Sequence, residues 1–288
     1  MKNIKYLLFV VLIFAIGDLH SQTTWPHMVT SQDGTQISYE VYGKGEPTLV
    51  FVHGWSCDSR YWRNQASVFS QNNRIVLIDL AGHGHSGITR QNYTMEAFGQ
   101  DVKAVVDAIK SPKVILIGHS MGGEVIAQAA LLMPQRVKGL IGVDTYDNIE
   151  RKVTAEQRDS FLAPMKQDFA TNAKQFVNQM IVAETDSTLR NLIVEDMSSA
   201  PPVIAMSSIE NLFNESVKGT GPELFKNIKA PVVDIRADMW PSDPEANRRH
   251  MQSFESIIIK GADHFLMMAR PKEFNSALKQ TIKTMTEE

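Results

Sequence analysis

Six residues constrain this chain more than any others: Gly118-His119-Ser120-Met121-Gly122-Gly123. They follow the apolar run Val114 to Ile117 and open a helix-like stretch, so the order is strand, sharp turn, helix, with a serine at the apex. Glycine on both sides of the serine suits a helix folding straight back onto its strand, because a Cβ at Gly118 or Gly122 would collide there. The serine then sits in a strained backbone conformation with its hydroxyl raised above the sheet edge, where it is exposed as a nucleophile.

A chain of 288 residues with 43% hydrophobic and 21% charged content can bury one large core, and one domain carrying an insertion fits it. The formal charge of −3, with no run of like charges, provides no basic surface for nucleic acid. Near the start, Lys2 and Lys5 precede the apolar stretch Tyr6 to Ile16, then small or polar residues up to Ser21-Gln22. That stretch is about half the ~20 residues a membrane-spanning helix needs, and it suits the apolar region of a secretory signal. Residues 1–21 are therefore expected to direct export and be removed near Ser21, leaving a mature chain without a membrane span, periplasmic or extracellular. Cys57 is the only cysteine and has no internal disulfide partner, so stability must come from the core.

The remaining residues alternate between two periodicities. His27 to Val29 and Thr35 to Tyr42 read as strands joined by the turn Gln32-Asp33-Gly34. Thr48 to Val52 and Ile75 to Leu80 are short continuous apolar runs that suit strands buried on both faces. Met95, Phe98, Val102, Val105, Val106 and Ile109 recur three and four apart, which predicts an amphipathic helix capped by Thr94 and stopped before Pro112. A helix from Met121 to Met133 and a strand from Val137 to Val143 follow. Strands and helices in alternation predict an α/β fold, a mostly parallel sheet flanked by helices. From Thr145 to Lys229 no strand is evident, and the alternation resumes with strands Val232 to Ile235 and Ser256 to Ile259 and a last helix Pro271 to Met285. The chain thus divides into core 22–144, an inserted helical lid 145–229 over the C-terminal strand ends, and core 230–288.

A serine hydroxyl is a weak nucleophile at neutral pH; it needs a base beside it, and the base needs an acid to orient it. His264, in the loop just past the last strand, follows Ser120 in the chain order expected of such a base. The oxyanion formed on attack requires preorganised backbone N–H donors. Met121, directly after the serine, and Trp55, in the loop His53-Gly54-Trp55 after an early strand, are the candidates. No motif calls for a metal, nucleotide or flavin, so no cofactor is expected. The glycines of residues 82–87 lack the lysine of a phosphate-binding loop.

His53-Gly54-Trp55, Asp79-Leu80-Ala81-Gly82-His83-Gly84-His85-Ser86, the serine turn, Ala230-Pro231-Val232-Val233 and Gly261 to His264 together resemble the α/β-hydrolase fold superfamily, in its lid-bearing branch of esterases, lactonases, carbon–carbon hydrolases and haloalkane dehalogenases. The resemblance tracks the mature chain outside the lid, and it implies that His83 and His85 are structural or line the pocket. The orienting acid departs from the family's usual form. Most members carry an aspartate three residues after a glycine ending the penultimate strand, and here Trp240 holds that register with Asp238 two residues early. Two candidates stand: Asp238, and Asp144 at the end of the strand after the serine helix, as in the dehalogenase arrangement. Asp243 reads as the cap of the helix following Pro244.

The expected activity is hydrolysis of a carboxylic ester or lactone through an acyl-enzyme on Ser120, acting on a small ester-like molecule with an apolar portion. Serine in place of the dehalogenase aspartate disfavours dehalogenation. Phe161, Met165, Phe169, Phe176, Met180, Met197 and Met206 of the insertion are candidates for an apolar pocket roof. The alternatives are carbon–carbon bond hydrolysis or perhydrolysis with the same residues, or a non-catalytic binder that keeps the lidded pocket.

Overall fold

The computed structural model describes residues 26–287; the expected export signal at 1–21 lies outside them. Eight strands form one sheet: β1 (His27–Thr30), β2 (Gln36–Tyr42), β3 (Thr48–Val52), β4 (Ile75–Ile78), β5 (Val114–His119), β6 (Val137–Val143), β7 (Val232–Ala237) and β8 (Phe254–Ile259). Their spatial order is β1-β2-β4-β3-β5-β6-β7-β8. The first two strands run antiparallel, and β4 through β8 with β3 are parallel. Every residue of β3, β4 and β5 is buried, which is why these segments read as unbroken apolar runs rather than alternating ones.

Helices cover both faces. Helix α1 (Arg63–Phe69) packs with the C-terminal helix on one side. On the other, α2 (Met95–Ala108) packs along α3 (Met121–Leu132). The expected cap at Thr94 is present, its side chain accepting the Ala97 N–H. Between β6 and β7 there is no strand among the described residues, only α4 (Ala155–Gln167), α5 (Phe169–Asn178), α6 (Ser187–Ser198), α7 (Pro202–Lys218) and α8 (Gly221–Lys226). The chain then closes with α9 (Pro244–Arg248), capped by Asp243, then α10 (Leu266–Ala269) and α11 (Pro271–Glu287). None of the described helices is long and apolar enough to cross a membrane.

Parallel strands end together. The C-terminal ends of β3, β5, β6 and β7 therefore place His53 to Trp55, Ser120, Asp144 and Asp238 along one edge, with the loop after β8 bringing His264 beside them.

Candidate active site

Ser120 joins β5 to α3 with φ 51° and ψ −120°, a conformation non-glycine residues rarely adopt. Three hydrogen bonds hold it there. Its N–H donates to Val143 O (3.0 Å), and its carbonyl accepts from Gly123 N (2.8 Å) and from Thr145 Oγ1 (2.8 Å). The flanking glycines are sterically required: a Cβ on Gly118 would stand 2.2 Å from Gly122 O, and one on Gly122 would stand 2.7 Å from the carbonyl oxygens of Val52 and His53.

Asp144 ends β6, also with positive φ (52°). Its Oδ1 accepts the Ala237 N–H of neighbouring β7 (2.9 Å), which aims Oδ2 at His264 Nδ1 (2.7 Å). Of the two sequence candidates, Asp144 is thus the carboxylate joined to the histidine. Asp238 is exposed and points elsewhere, with Oδ1 accepting the Gly261 N–H (2.8 Å). The His264 backbone is clamped from two sides, its N–H donating to Met180 O (3.1 Å) of the helical insertion and its carbonyl accepting from His119 Nε2 (2.9 Å). Because a carbonyl only accepts, His119 must carry its proton on Nε2. That leaves His119 Nδ1 buried and unpartnered, and burial holds this imidazole well below the ordinary histidine range.

Met121 is the first residue of α3, so its N–H has no acceptor within the helix. The Trp55 N–H likewise meets no acceptor among the described residues. The indole of Trp55 acts separately from this amide. Its Nε1 donates to Ala205 O of α7 (2.8 Å), and the ring packs edge-on against Phe169 and Phe176. The loop bearing one expected oxyanion donor is thereby tied to the insertion.

A cavity of about 190 Å³ is lined by Ser120 and His264 together with Trp55, Phe176, Met180 and Met197. Of the apolar residues singled out in the insertion, Phe176, Met180 and Met197 face this cavity. Phe161, Met165, Phe169 and Met206 do not line it and belong to the packing behind. Among the described residues no hydrogen bond joins the Ser120 hydroxyl to the His264 ring, and such contacts are often long until a substrate is seated. His83 is buried, its ring tilted against that of His53 at 5.0 Å between centroids, and burial depresses it to about 3. His85 is exposed beside Asp79 (3.4 Å), and neither histidine lines this cavity.

Glu124 and Asp234 are among the acidic residues that the sequence alone does not single out. Glu124 sits one turn into α3, and the signal for it is a single charged residue in an otherwise uncharged helix. Asp234 lies within β7, wholly buried behind Asp144; burial first and the Asp144 charge second push its carboxyl up to about 7. The sign of the linkage follows. Below pH 3.8 folded and unfolded chains both hold this proton, but between 3.8 and 7 only the folded chain does, so rising pH removes stability across that window. Asp234→Asn, which abolishes the titration, should gain on the parent by up to about 4 kcal/mol between pH 4 and pH 8. Urea denaturation at the two pH values measures it, and an unchanged difference would refute it.

A family model described as the alpha/beta hydrolase fold matches residues 47–268. The chain is 27% identical over 262 residues to a pimeloyl-[acyl-carrier protein] methyl ester esterase of Wigglesworthia glossinidia brevipalpis, covering 85% of this chain and 97% of that one. An esterase from Exiguobacterium antarcticum superposes with a TM-score of 0.79 at 19% identity, over 89% of this chain and 98% of the other. The enol-lactonase from Burkholderia xenovorans LB400 does so with 0.76 at 19% identity, over 91% and 100%. Those two likenesses speak for the fold, whereas the match of the family model spans most of the chain, the serine turn and the histidine loop included. The protein is therefore an enzyme of the alpha/beta hydrolase fold family.

Proposed function

We propose that this enzyme hydrolyses a carboxylic ester or lactone through a covalent acyl-enzyme on Ser120. Ser120 Oγ attacks the carbonyl carbon as its proton passes to His264 Nε2, and the Asp144 carboxylate, on Nδ1, fixes the tautomer and stabilises the imidazolium. The Trp55 and Met121 amides receive the oxyanion, and loss of one such donor typically costs about 10²- to 10³-fold in rate. Collapse of the tetrahedral intermediate breaks the bond to the leaving oxygen, which takes the proton from His264. Water, deprotonated by the same ring, then attacks the acyl carbon and frees Ser120. The apolar cavity under the helical insertion, acting as a lid, takes the apolar part of the substrate.

The observation that carries this reading is the 2.7 Å bond between Asp144 Oδ2 and His264 Nδ1 on the cavity that Ser120 also lines. Relatives whose names specify ester cleavage support it. Incubation of the full chain with a fluorophosphonate is expected to label Ser120 stoichiometrically, and Ser120→Ala to abolish labelling. A folded protein that stays unlabelled would fit the non-catalytic binder instead. Turnover of a β-diketone in preference to a simple aryl ester would favour carbon–carbon hydrolysis.

A further inference from the structure

The apolar cavity is not the only space bordering Ser120. A chamber of about 350 Å³ is also lined by Ser120 and shares Leu212, Phe213 and Ser216 with the first. Its character is opposite. Four carboxylates line it, Glu124, Asp144, Asp147 and Glu215, against one guanidinium, Arg151. Most of these charges are committed. Asp144 is bonded to His264 and Ala237, and Asp147 is paired with Arg151 (2.6 Å). Glu215 receives Thr220 Oγ1 (2.6 Å) and Lys218 Nζ (3.1 Å), the latter from the solvent side.

Glu124 differs. Its Oε1 is buried without any hydrogen-bond partner. A buried acceptor left unpaired costs free energy that a chain ordinarily avoids by supplying a donor. Burial, and secondarily the charge of Glu215, hold this carboxyl up at about 7, so a positive charge arriving beside it would favour its ionised form. Aromatic side chains also wall this chamber: Phe213, partly exposed, and Phe225, buried with its ring edge-on to Tyr146 at 5.1 Å between centroids. Carboxylate and aromatic faces together are what an ammonium group binds, by charge and by the ring quadrupole.

We propose that the chamber walled by Glu124, Glu215, Phe213 and Phe225 is a subsite for a cationic ammonium group on the substrate, so that the enzyme selects esters carrying a positive charge on one side of the scissile bond. This rests on the ester-hydrolase reading above. Two pairs of esters, matched in shape and differing by one charge, test it on the full chain at pH 8. They are butyrylcholine against 3,3-dimethylbutyl butyrate, with the charge on the alcohol side, and methyl 4-(trimethylammonio)butanoate against methyl 5,5-dimethylhexanoate, with it on the acyl side. In at least one pair the cationic ester should have a kcat/KM about tenfold or more above its neutral twin, and Glu124→Gln should bring that ratio close to one.

Ratios near one in both pairs for the parent enzyme, or a preference that survives Glu124→Gln, would overturn the subsite while leaving the esterase intact. Hydrolysis of none of the four esters would overturn the subsite, and if fluorophosphonate also failed to label Ser120 the ester-hydrolase reading would fall with it. Should Glu124→Gln fail to fold, choline and 3,3-dimethylbutanol can be compared as competitive inhibitors of the unaltered chain. Choline is expected to bind about tenfold more tightly, and equal inhibition constants would count against the proposal.

Discussion

Asp144→Asn is expected to lower turnover of an aryl ester by about four orders of magnitude, the scale on which loss of the orienting carboxylate acts in such a triad. The local hydrogen bonds say why a substitution so nearly isosteric should do so much. Asp144 Oδ1 accepts the Ala237 N–H, which a side-chain carbonyl can still accept and an amide nitrogen cannot. Asparagine will therefore keep its oxygen on Ala237 and turn its NH₂ toward His264 Nδ1. The ring must then accept at Nδ1 and carry its proton on Nε2, the atom that has to take the proton of Ser120. The fold is preserved and the base is lost. Asp238→Asn, at an exposed side chain bonded to Gly261 N, should leave turnover within about threefold. Steady-state kinetics of the two variants, with circular dichroism to confirm folding, make the comparison. A reversal, with Asp238→Asn the damaging change, would transfer the orienting role to Asp238.

The same pair of aspartates marks where the sequence ceased to be informative. A strand buried on both faces announces itself as a continuous apolar run, so β3 begins and ends where the sequence predicts it. The sharp turn at Ser120 is legible because it tolerates only glycine on either side, and the place of His264 because it follows the last strand. Which aspartate bonds that histidine is not. In the sheet β6 and β7 are adjacent parallel strands, about 4.8 Å apart, and both end in an aspartate near the histidine loop. The choice rests on register. Val143 pairs with Ile235, so Asp144 leaves β6 opposite Arg236, while β7 continues to Ala237 and carries Asp238 beyond the ring toward Gly261. The sequence analysis ends this strand at Ile235, but β7 runs on through Arg236, which is buried with its guanidinium bonded to the carbonyls of Ala237 and Trp240. Glu124 and Glu215 were missed for another reason. They lie on α3 and on α7, far apart in the chain, and only packing of the insertion against the core brings both to one chamber.

Gly118→Ala should be among the most destabilising single substitutions the chain can receive, by more than about 4 kcal/mol, the range reserved for changes with a specific structural cause. The added methyl would lie 2.2 Å from Gly122 O, 2.5 Å from Gly122 C and 2.9 Å from Gly123 N. All three are backbone atoms in the first turn of α3, so no side chain can rotate away. Nor can the helix retreat cheaply, because a Cβ position on Gly122 is already within 2.7 Å of the carbonyls that end β3. Relief must come from opening the strand-to-helix turn, and that releases Ser120 from the positive φ in which three hydrogen bonds hold it. Gly34→Ala supplies the contrast. Gly34 has φ 88° in the turn between β1 and β2 with open space around its missing Cβ, so only the backbone preference is lost, about 1 kcal/mol. In thermal unfolding the two variants should differ by roughly 6 °C or more, and residual folded Gly118→Ala should react with fluorophosphonate far more slowly than Gly34→Ala. Equal stability and equal labelling would mean that the turn has slack the close contacts do not suggest, and that the raised serine does not depend on glycine at its flank.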